Sequence, residues 1–534
     1  MKIYQLFPLT FVCMLLITAS CKMKPAVPEA MKLPLNGNSA GTYANAENKY
    51  KEQWFESISS LRKTIQTELA GREYTLPPAE TTGNDTAIAA GENWNIVVKD
   101  GKEVDAVSGE NTKRDDRIIF TENDPAFHVR LHTSASGSFI FIESSSPLSS
   151  EVWMLPFSCK SLKPSLVAER KPGVTYKVDH FGGNNLWILS NENAPKRCLL
   201  IAPSQNPGSG SWKAAVREND SIFIDDFSLL NLQYLVLIQR MNLKTSLEIT
   251  SIYPEKVREA SVENVINFPE PEGRISDLSY NKDDDKIIFR YSSILTPPTC
   301  YTYGIHSMHM GIRWKKQIKN YRPEDYKAEV SWVAGKNNSR IPVSLIRKRE
   351  LDMQDGTNPL LLFIDSGPPG EKENGFSPEL LSLTDRGFYI AFIHLSSAGS
   401  DEKECSDKVA AALSALIGKK YTSAGLITLA GKDNGALIAF NTAKEHPSWV
   451  RVLILENPAF SCNTANTTGP DIYLNAYTNG PDKGFAGLSL ASGLRKITKP
   501  GNTLLVSTGT DRPANPGLNT EQITFILSSF GIHK

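Results

Sequence analysis

The 534-residue sequence lacks the charge pattern of a nucleic-acid-binding protein. Its 58 lysines and arginines balance 58 aspartates and glutamates, so the formal net charge at pH 7 is zero. A balanced chain has no overall field that would attract nucleic acid or an anionic membrane. It also has no basic stripe with interleaved aromatic residues. Nucleic acid is therefore not expected as a partner.

Cysteine is scarce, with seven residues and no C-x-x-C spacing. Five cysteines of the main body are predicted to be mostly buried thiols, with at most one or two disulfides among them. The neighbouring histidines of the sequence His306-Ser-Met-His309 have no carboxylate or cysteine spaced with them. Neither a zinc site nor any other cofactor is expected. The five cysteines are Cys159, Cys198, Cys300, Cys405 and Cys462.

The apolar run from Leu6 to Ile17 is too short to span a membrane. It follows Met1-Lys2 and precedes Thr18-Ala-Ser-Cys21, which resembles a bacterial lipoprotein signal. We expect residues 1–20 to be removed and Cys21 to carry acyl chains, which anchor a protein without a spanning helix. The alternative is a plain secretory signal with an incidental cysteine. Lys22 is not the aspartate linked to inner-membrane retention, which favours the outer membrane, on either face.

Residues 21–45 are rich in proline, glycine and asparagine, as expected of a flexible tether. The next segment, 46–85, contains apolar residues at steps of three and four. This spacing predicts an amphipathic helix of about 20 residues. The apolar positions are Trp54, Ile58, Leu61, Ile65 and Leu69.

Short apolar strands with turns between them recur over residues 86–325, as in Arg117-Ile-Ile-Phe and Lys286-Ile-Ile-Phe. This pattern predicts a β-propeller, with a β-sandwich as the alternative. We expect a shortened propeller of about five blades, counted over residues 117–325 at about 40–45 residues per blade. Less than one full blade fits between the leading helix and Arg117.

Strands and helices alternate over residues 326–534. Runs such as Pro359-Leu-Leu-Leu-Phe-Ile and Val450-Arg-Val-Leu-Ile-Leu are apolar almost throughout. Such strands are typical of a buried parallel sheet. The segment is predicted to be a doubly wound α/β domain.

The stretch Gly431-Lys-Asp-Asn-Gly435 lies between a predicted strand and a predicted helix. Strand, tight glycine turn and helix form the setting of a nucleophile elbow, G-x-S-x-G. Here the central residue is Asp433 instead of serine. Asp433 is interpreted mainly as a cap of the following helix, or as the partner of Lys432 or another cation.

A β domain followed by an α/β domain with this elbow resembles the prolyl oligopeptidase family, peptidase family S9, and most of all its oligopeptidase B branch. The similarity extends over most of residues 45–515 in the family's order. It is clearest in a leading helix, a last propeller blade and the re-entry into an α/β-hydrolase domain. These are Asn45-Ala-Glu-Asn-Lys-Tyr to Arg72-Glu-Tyr, Ser276-Asp-Leu-Ser-Tyr-Asn to Tyr291-Ser-Ser-Ile-Leu-Thr-Pro-Pro-Thr, and Tyr326-Lys-Ala-Glu-Val-Ser-Trp-Val.

The resemblance also identifies positions where the family's catalytic residues would stand. Asp433 occupies the nucleophile position, Ser366 stands in place of the oxyanion tyrosine, and Asp511 matches the triad aspartate. The family's histidine would follow another helix and strand. His533 falls too early in that order, and the domain is expected to be truncated.

These departures predict a lipid-anchored pseudopeptidase that binds a peptide or protein partner, since serine attack needs both an alcohol and a base. Two enzymatic alternatives remain: an active serine-type oligopeptidase, or a hydrolase that uses Asp433 as nucleophile. A third alternative is a structural subunit of an outer-membrane complex.

Overall fold

The computed structural model describes most of the chain between residues 53 and 533. Cys21, Ser366 and Asp511 lie outside the described residues, as do Cys159 and Cys462. Within the described part, no helix is long and apolar enough to cross a membrane. The described ranges are 53, 56–72, 87–90, 94–108, 117–158, 161–252, 261–335, 339–365, 375–395, 402–456, 503–507 and 518–533.

Five four-stranded antiparallel sheets follow one another along the described part of the N-terminal region. Blade 1 contains β1 (Ala87–Ala90), β2 (Trp94–Lys99), β3 (Glu103–Ser108) and β4 (Arg117–Thr121). Blade 2 contains β5 (His128–Thr133), β6 (Phe139–Ser145), β7 (Ser150–Pro156) and β8 (Ser165–Ala168). Blade 3 contains β9 (Tyr176–His180), β10 (Asn185–Ser190), β11 (Cys198–Pro203) and β12 (Lys213–Val216).

Blades 4 and 5 repeat this arrangement. Blade 4 contains β13 (Phe223–Leu230), β14 (Tyr234–Met241), β15 (Lys244–Ser251) and β16 (Ser261–Pro271). Blade 5 contains β17 (Arg274–Asn281), β18 (Lys286–Ser292), β19 (Thr299–Gly304) and β20 (Met310–Lys315).

Each blade shares a hydrophobic core with the next one. This stacking explains why inner strands such as β14 are buried almost throughout, because both faces of the sheet are covered. Two sheets around one core would form a sandwich, whereas a series of sheets with a core at each junction forms a propeller. The propeller prediction is confirmed. Central residues of the four cores are Leu131, Val178, Leu199 and Phe289.

The described residues form five blades, as expected, but the first blade begins before Arg117, where the count started. Three strands precede Arg117 and pair with its strand to complete a blade. The first of them, Ala-Ile-Ala-Ala, has only four residues and a single β-branched side chain. Pairing with neighbours and burial of Ile88 and Val104 outweigh this weak intrinsic preference.

The C-terminal region is built on one seven-stranded sheet in the order β21-β22-β24-β23-β25-β26-β27. Strands β23 to β27 pair in parallel, and β21 and β22 add an antiparallel edge. The predicted α/β fold is therefore confirmed. The strands are β21 (Tyr326–Ala334), β22 (Arg340–Lys348), β23 (Leu360–Asp365), β24 (Tyr389–His394), β25 (Ile427–Lys432), β26 (Val450–Glu456) and β27 (Thr503–Ser507).

Helices cover both faces of this sheet and create two separate cores. One core lies under α3 and α4, and the other lies under α5 and the leading helix α1. The helices are α1 (Ser59–Arg72), α2 (Leu381–Thr384), α3 (Glu402–Gly418), α4 (Asn434–Glu445) and α5 (Thr520–Ser529).

Helix α1 packs against the α/β domain. Leu61 and Ile65 are buried in the core that includes α5. Two ion pairs fasten the same helix: Glu68 pairs with Arg386 at 2.6 Å, and Arg72 with Asp385 at 2.7 Å. The α/β domain is thus formed by two segments, one before and one after the propeller in the sequence.

The described cysteines agree with the expectation of buried thiols. Cys198, Cys300 and Cys405 are buried and form no disulfide within the described part of the chain. His306 pairs with Asp285 at 2.6 Å, and the described residues contain no group of three or more histidine, cysteine, aspartate or glutamate side chains that could hold a metal ion.

Replacing Ile65 with alanine should show how far α1 supports the α/β domain. The side chain is fully buried, so Ile65→Ala is expected to lower the free energy of unfolding by about 2–5 kcal/mol. Urea unfolding monitored by circular dichroism measures this loss. Lys63→Ala, on the exposed face of the same helix, is the control. Equal effects of the two substitutions would contradict the packing described for α1.

Candidate functional site

The turn between β25 and α4 has the backbone geometry of a nucleophile elbow. Strand β25 ends at Lys432, α4 begins at Asn434, and Asp433 alone connects them. Asp433 has φ of 49° and ψ of −119°, a conformation that residues with a side chain rarely adopt. Holding such a residue costs about 1–3 kcal/mol, which the surrounding structure must supply.

Glycines at both ends of the turn make this geometry possible. A Cβ atom at Gly431 would lie 2.3 Å from the carbonyl oxygen of Gly435 and 2.6 Å from the backbone nitrogen of Ala436. Strand and helix therefore touch through their backbones. This contact explains why the first residue of the predicted motif is Gly431.

The side chain of Asp433 does not cap α4, which corrects the main interpretation from the sequence. No hydrogen bond runs from the first turn of the helix to the carboxylate. A capping residue normally has an extended backbone, whereas Asp433 has positive φ. The side chain of Asp433 is exposed. Its pairing with Lys432 or another cation stays a prediction.

Backbone hydrogen bonds hold Asp433 in its strained conformation. Its N–H group donates to the carbonyl oxygen of Glu456 at 2.8 Å, and Ala436 donates to the carbonyl oxygen of Asp433 at 3.1 Å. The Glu456 side chain accepts from Gln522 Nε2, and Gln522 also forms the capping box of α5 with Asn519. The end of β26 and the start of α5 thus support the turn.

A second polar group lies at the edge of the sheet where the parallel strands end, which is also the edge that carries Asp433. His394 is the last residue of β24, and β23 separates β24 from β25. Its Nε2 atom is 2.8 Å from Oε1 of Glu272, and 3.0 Å from Oγ of Ser344. The prediction that His394 is a satisfied core residue is confirmed.

Sequence reasoning missed Glu272 and Ser344. Glu272 lies in the turn between β16 and β17, and Ser344 lies in β22. Nothing in the local pattern of either segment indicates a contact between the propeller and the α/β domain. Only the tertiary fold brings these residues to His394.

The structure describes all eight histidines of the sequence. His446 directly follows α4. The 12 residues of this helix place it about 18 Å from Asp433, which precedes the helix. His533 follows the C-terminal end of α5, where Arg451 at the start of β26 donates to the carbonyl oxygen of Ser529. That end of α5 therefore lies where the parallel strands begin, whereas Asp433 lies where they end. The other five, besides His394, belong to propeller blades: His128, His132, His180, His306 and His309.

Comparison with known proteins agrees with this geometry. Residues 107–311 match the family model described as the N-terminal β-propeller domain of prolyl oligopeptidase. Oligopeptidase B from Trypanosoma brucei superposes with a TM-score of 0.71 over 93% of each chain at 16% sequence identity. The chain is a relative of the prolyl oligopeptidases.

Curated relatives of this prolyl oligopeptidase-like chain carry peptidase names. Protease 2 from Moraxella lacunata is 26% identical over 359 residues, which are 64% of this chain and 49% of that protein. The human protein named prolyl endopeptidase-like is 24% identical over 372 residues, or 66% of this chain and 48% of that protein. The chain therefore spans about half the length of the curated relatives it matches.

The strain at the elbow is measurable. Asp433→Gly is expected to raise the free energy of unfolding by about 1 kcal/mol, because glycine adopts positive φ without the steric cost of a side chain. Asp433→Ala is the matched control, since it removes the carboxylate but keeps the Cβ atom. The midpoint of urea unfolding should rise only for the glycine variant. A glycine variant no more stable than the alanine variant would contradict a strained elbow.

Proposed function

We propose that this prolyl oligopeptidase-like protein is a pseudopeptidase that binds a peptide or protein partner at the edge of the sheet that carries the elbow. The observation that carries the proposal is the carboxylate of Asp433 in the strained, exposed position of the nucleophile. The turn preserves the geometry of a serine hydrolase and presents a different chemical group.

A carboxylate at this position does not reproduce serine chemistry. A serine hydroxyl transfers its proton to a base and attacks the carbonyl carbon. Asp433 has no hydroxyl proton to transfer when ionised. Its negative charge would also lie beside the oxyanion that forms during acyl transfer, and like charges at short distance are destabilising.

The histidines of the chain support the same proposal. Of the histidines in the α/β domain, His446 and His533 lie away from the elbow, as described above. His394 lies at the elbow's edge of the sheet, but Glu272 and Ser344 already contact its Nε2 atom. A hydrolase that uses Asp433 as nucleophile would also need a histidine to activate water. The enzymatic alternatives therefore require a base from elsewhere, such as a partner chain.

A binding role accounts for the retained strain. Strained residues persist where the surrounding structure over-determines them, and they cluster at functional sites. In this protein the strained residue is exposed at the edge where ligands of open α/β sheets commonly bind. A peptide or protein partner in the cleft between propeller and α/β domain would reach Asp433 there.

We further propose that acyl chains on Cys21 anchor the protein in the bacterial cell envelope, with the outer membrane favoured. The apolar run before Cys21 and the residue Lys22 after it support this location. A structural subunit of an outer-membrane complex is the second candidate. Recovery of a fixed set of membrane proteins in constant ratio would favour that candidate over a free binding protein.

The catalytic prediction concerns purified protein from Lys22 onward. No hydrolysis of Lys-, Arg- or Pro-containing peptides and no fluorophosphonate labelling are expected, because the elbow has neither hydroxyl nor base. Asp433→Ser should also stay unlabelled and inactive, since restoring the alcohol does not supply a histidine. Peptidase assays and mass spectrometry of labelled peptides test both proteins. Hydrolysis that is lost in Asp433→Asn would overturn the proposal in favour of an Asp-nucleophile enzyme.

The anchoring prediction concerns the full chain expressed in a bacterium. Wild-type protein should fractionate with membranes and incorporate labelled palmitate, whereas Cys21→Ser should do neither. Cys13→Ser, within the expected signal peptide, is the control and should behave like the wild type. Palmitate incorporation that survives Cys21→Ser would disprove lipidation at this residue.

A further inference from the structure

The hairpin between β19 and β20 carries two histidines and a methionine at its tip. Gly304 N–H donates to the carbonyl oxygen of His309 at 3.1 Å, which closes the loop. The buried Ile305 anchors this loop in the core between blades 4 and 5. His306, Met308 and His309 are exposed. One closed turn thus displays two imidazole groups and a thioether to solvent.

Ser307 holds the tip of this hairpin in shape. A Cβ atom at Gly304 would lie 2.3 Å from Ser307 Oγ, so the serine folds back over the glycine. The same hydroxyl accepts from the backbone N–H of His309 at 3.4 Å. The next residue, Met308, has a φ of 53° and is 66% exposed. Holding a methionine at positive φ in contact with water costs free energy, and strained residues cluster at functional sites.

Asp285 orients the first histidine. Its Oδ2 atom lies 2.6 Å from Nδ1 of His306, and the hydroxyl of Tyr280 donates to its other oxygen. A carboxylate only accepts, so Nδ1 carries the proton and Nε2 of the neutral ring keeps its lone pair. The His306 side chain is 73% exposed, which makes that nitrogen accessible. A carboxylate on one nitrogen is the typical outer-shell partner of a histidine that binds metal through the other.

The sequence analysis found no acidic partner for these histidines, because Asp285 lies 21 residues before His306. It belongs to the turn between β17 and β18, and β18 pairs with β19. Pairing of the strands therefore brings the two turns together. The spacing of residues within the motif does not reveal this contact.

The chemistry of the donor groups indicates which ion would bind. Calcium and magnesium require several oxygen ligands, and the described residues contain no group of three histidine, cysteine, aspartate or glutamate side chains for a metal. The thioether of Met308 adds a third donor to the two imidazoles. Thioethers are soft ligands that select monovalent copper, and imidazole also binds copper. The negative charge of Asp285 would offset the charge of the ion.

The hairpin lies far from the elbow. Strand β17 begins at Arg274, directly after the turn whose Glu272 contacts His394 of the α/β domain, and it ends at Asn281, near Asp285. Its eight residues span about 26 Å. The hairpin is therefore at the end of blade 5 that is remote from the α/β domain.

We propose that His306, Met308 and His309 form a binding site for monovalent copper, with Asp285 as the positioning residue of His306. Three ligands on an exposed turn leave the ion accessible to other carriers, so the site holds copper that exchanges. Binding transfers no electron and breaks no bond of the protein. The proposal does not depend on what Asp433 does, because the two sites lie at opposite ends of the propeller blade.

Competition for Cu(I) tests the site on the purified full chain. Without oxygen, Cu(I) kept reduced by ascorbate is shared between the protein and the coloured chelator bicinchoninate. The wild type should bind one equivalent that depends on this hairpin. Loss of an outer-shell partner costs about 10–100-fold in affinity, so Asp285→Asn should weaken binding by that factor. Met308→Leu, His306→Gln and His309→Gln each remove a ligand and should weaken it at least as much.

Met353→Leu and His128→Gln are the matched controls. Both residues are exposed, but neither belongs to the hairpin. These variants should bind Cu(I) like the wild type. Equal losses in the controls and the hairpin variants would overturn the site. Binding that is unchanged in Met308→Leu and His306→Gln, as expected for copper held by cysteines, would also overturn it.

Methyl NMR of the nine methionines shows directly whether the thioether binds. Ag(I) serves as a soft ion that stays monovalent in air. The signal that is missing in Met308→Leu should shift when one equivalent of Ag(I) is added, whereas the signal of Met353 should not. An unmoved Met308 signal would contradict a thioether ligand. Zn(II) binding as tight as that of Cu(I), and retained in Met308→Leu, would overturn the assignment to copper.

Discussion

The backbone contact between Gly431 and Gly435 is the constraint on which the candidate site depends. It brings the end of β25 so close to the start of α4 that a single residue must reverse the chain direction. That residue is then forced to positive φ, and its side chain does not cap the helix. The chemical identity of the residue is free to change while its placement is not. This is why Asp433 lies at the tip of the turn, whatever the chemistry of its side chain.

The same edge of the sheet depends on elements that are distant in sequence. Glu456 and α5 support the elbow from one side through Gln522 and the backbone of Asp433. The propeller turn at Glu272 approaches from the other side, through His394. Helix α1 stabilises the face of the sheet that α5 also covers. A site formed in this way responds to the relative placement of the two domains as well as to its own side chains.

Much of the α/β domain was predictable, because buried parallel strands have sequences that are apolar almost throughout. The predicted run from Val450 to Leu455 differs from β26 by one residue. Blade 1 was not predictable, since Ala87–Ala90 owes its strand conformation to pairing with β2. The elbow itself was predicted from its glycines, but the direction of the Asp433 side chain follows from a backbone angle that residue types do not specify. The contact between Glu272 and His394 joins separate domains, so no periodicity in the sequence predicts it.

The cost of the strained turn bears on the proposed role of Asp433. Had the elbow lost all function, substitution of Asp433 by glycine would relieve strain of about 1–3 kcal/mol without disturbing the backbone contacts around it. A residue that retains its side chain at this cost must gain something from that side chain. An exposed carboxylate can form an ion pair, and a partner that contacts it would offset the cost of the strain. This energetic argument supports the proposed contact between a partner and Asp433.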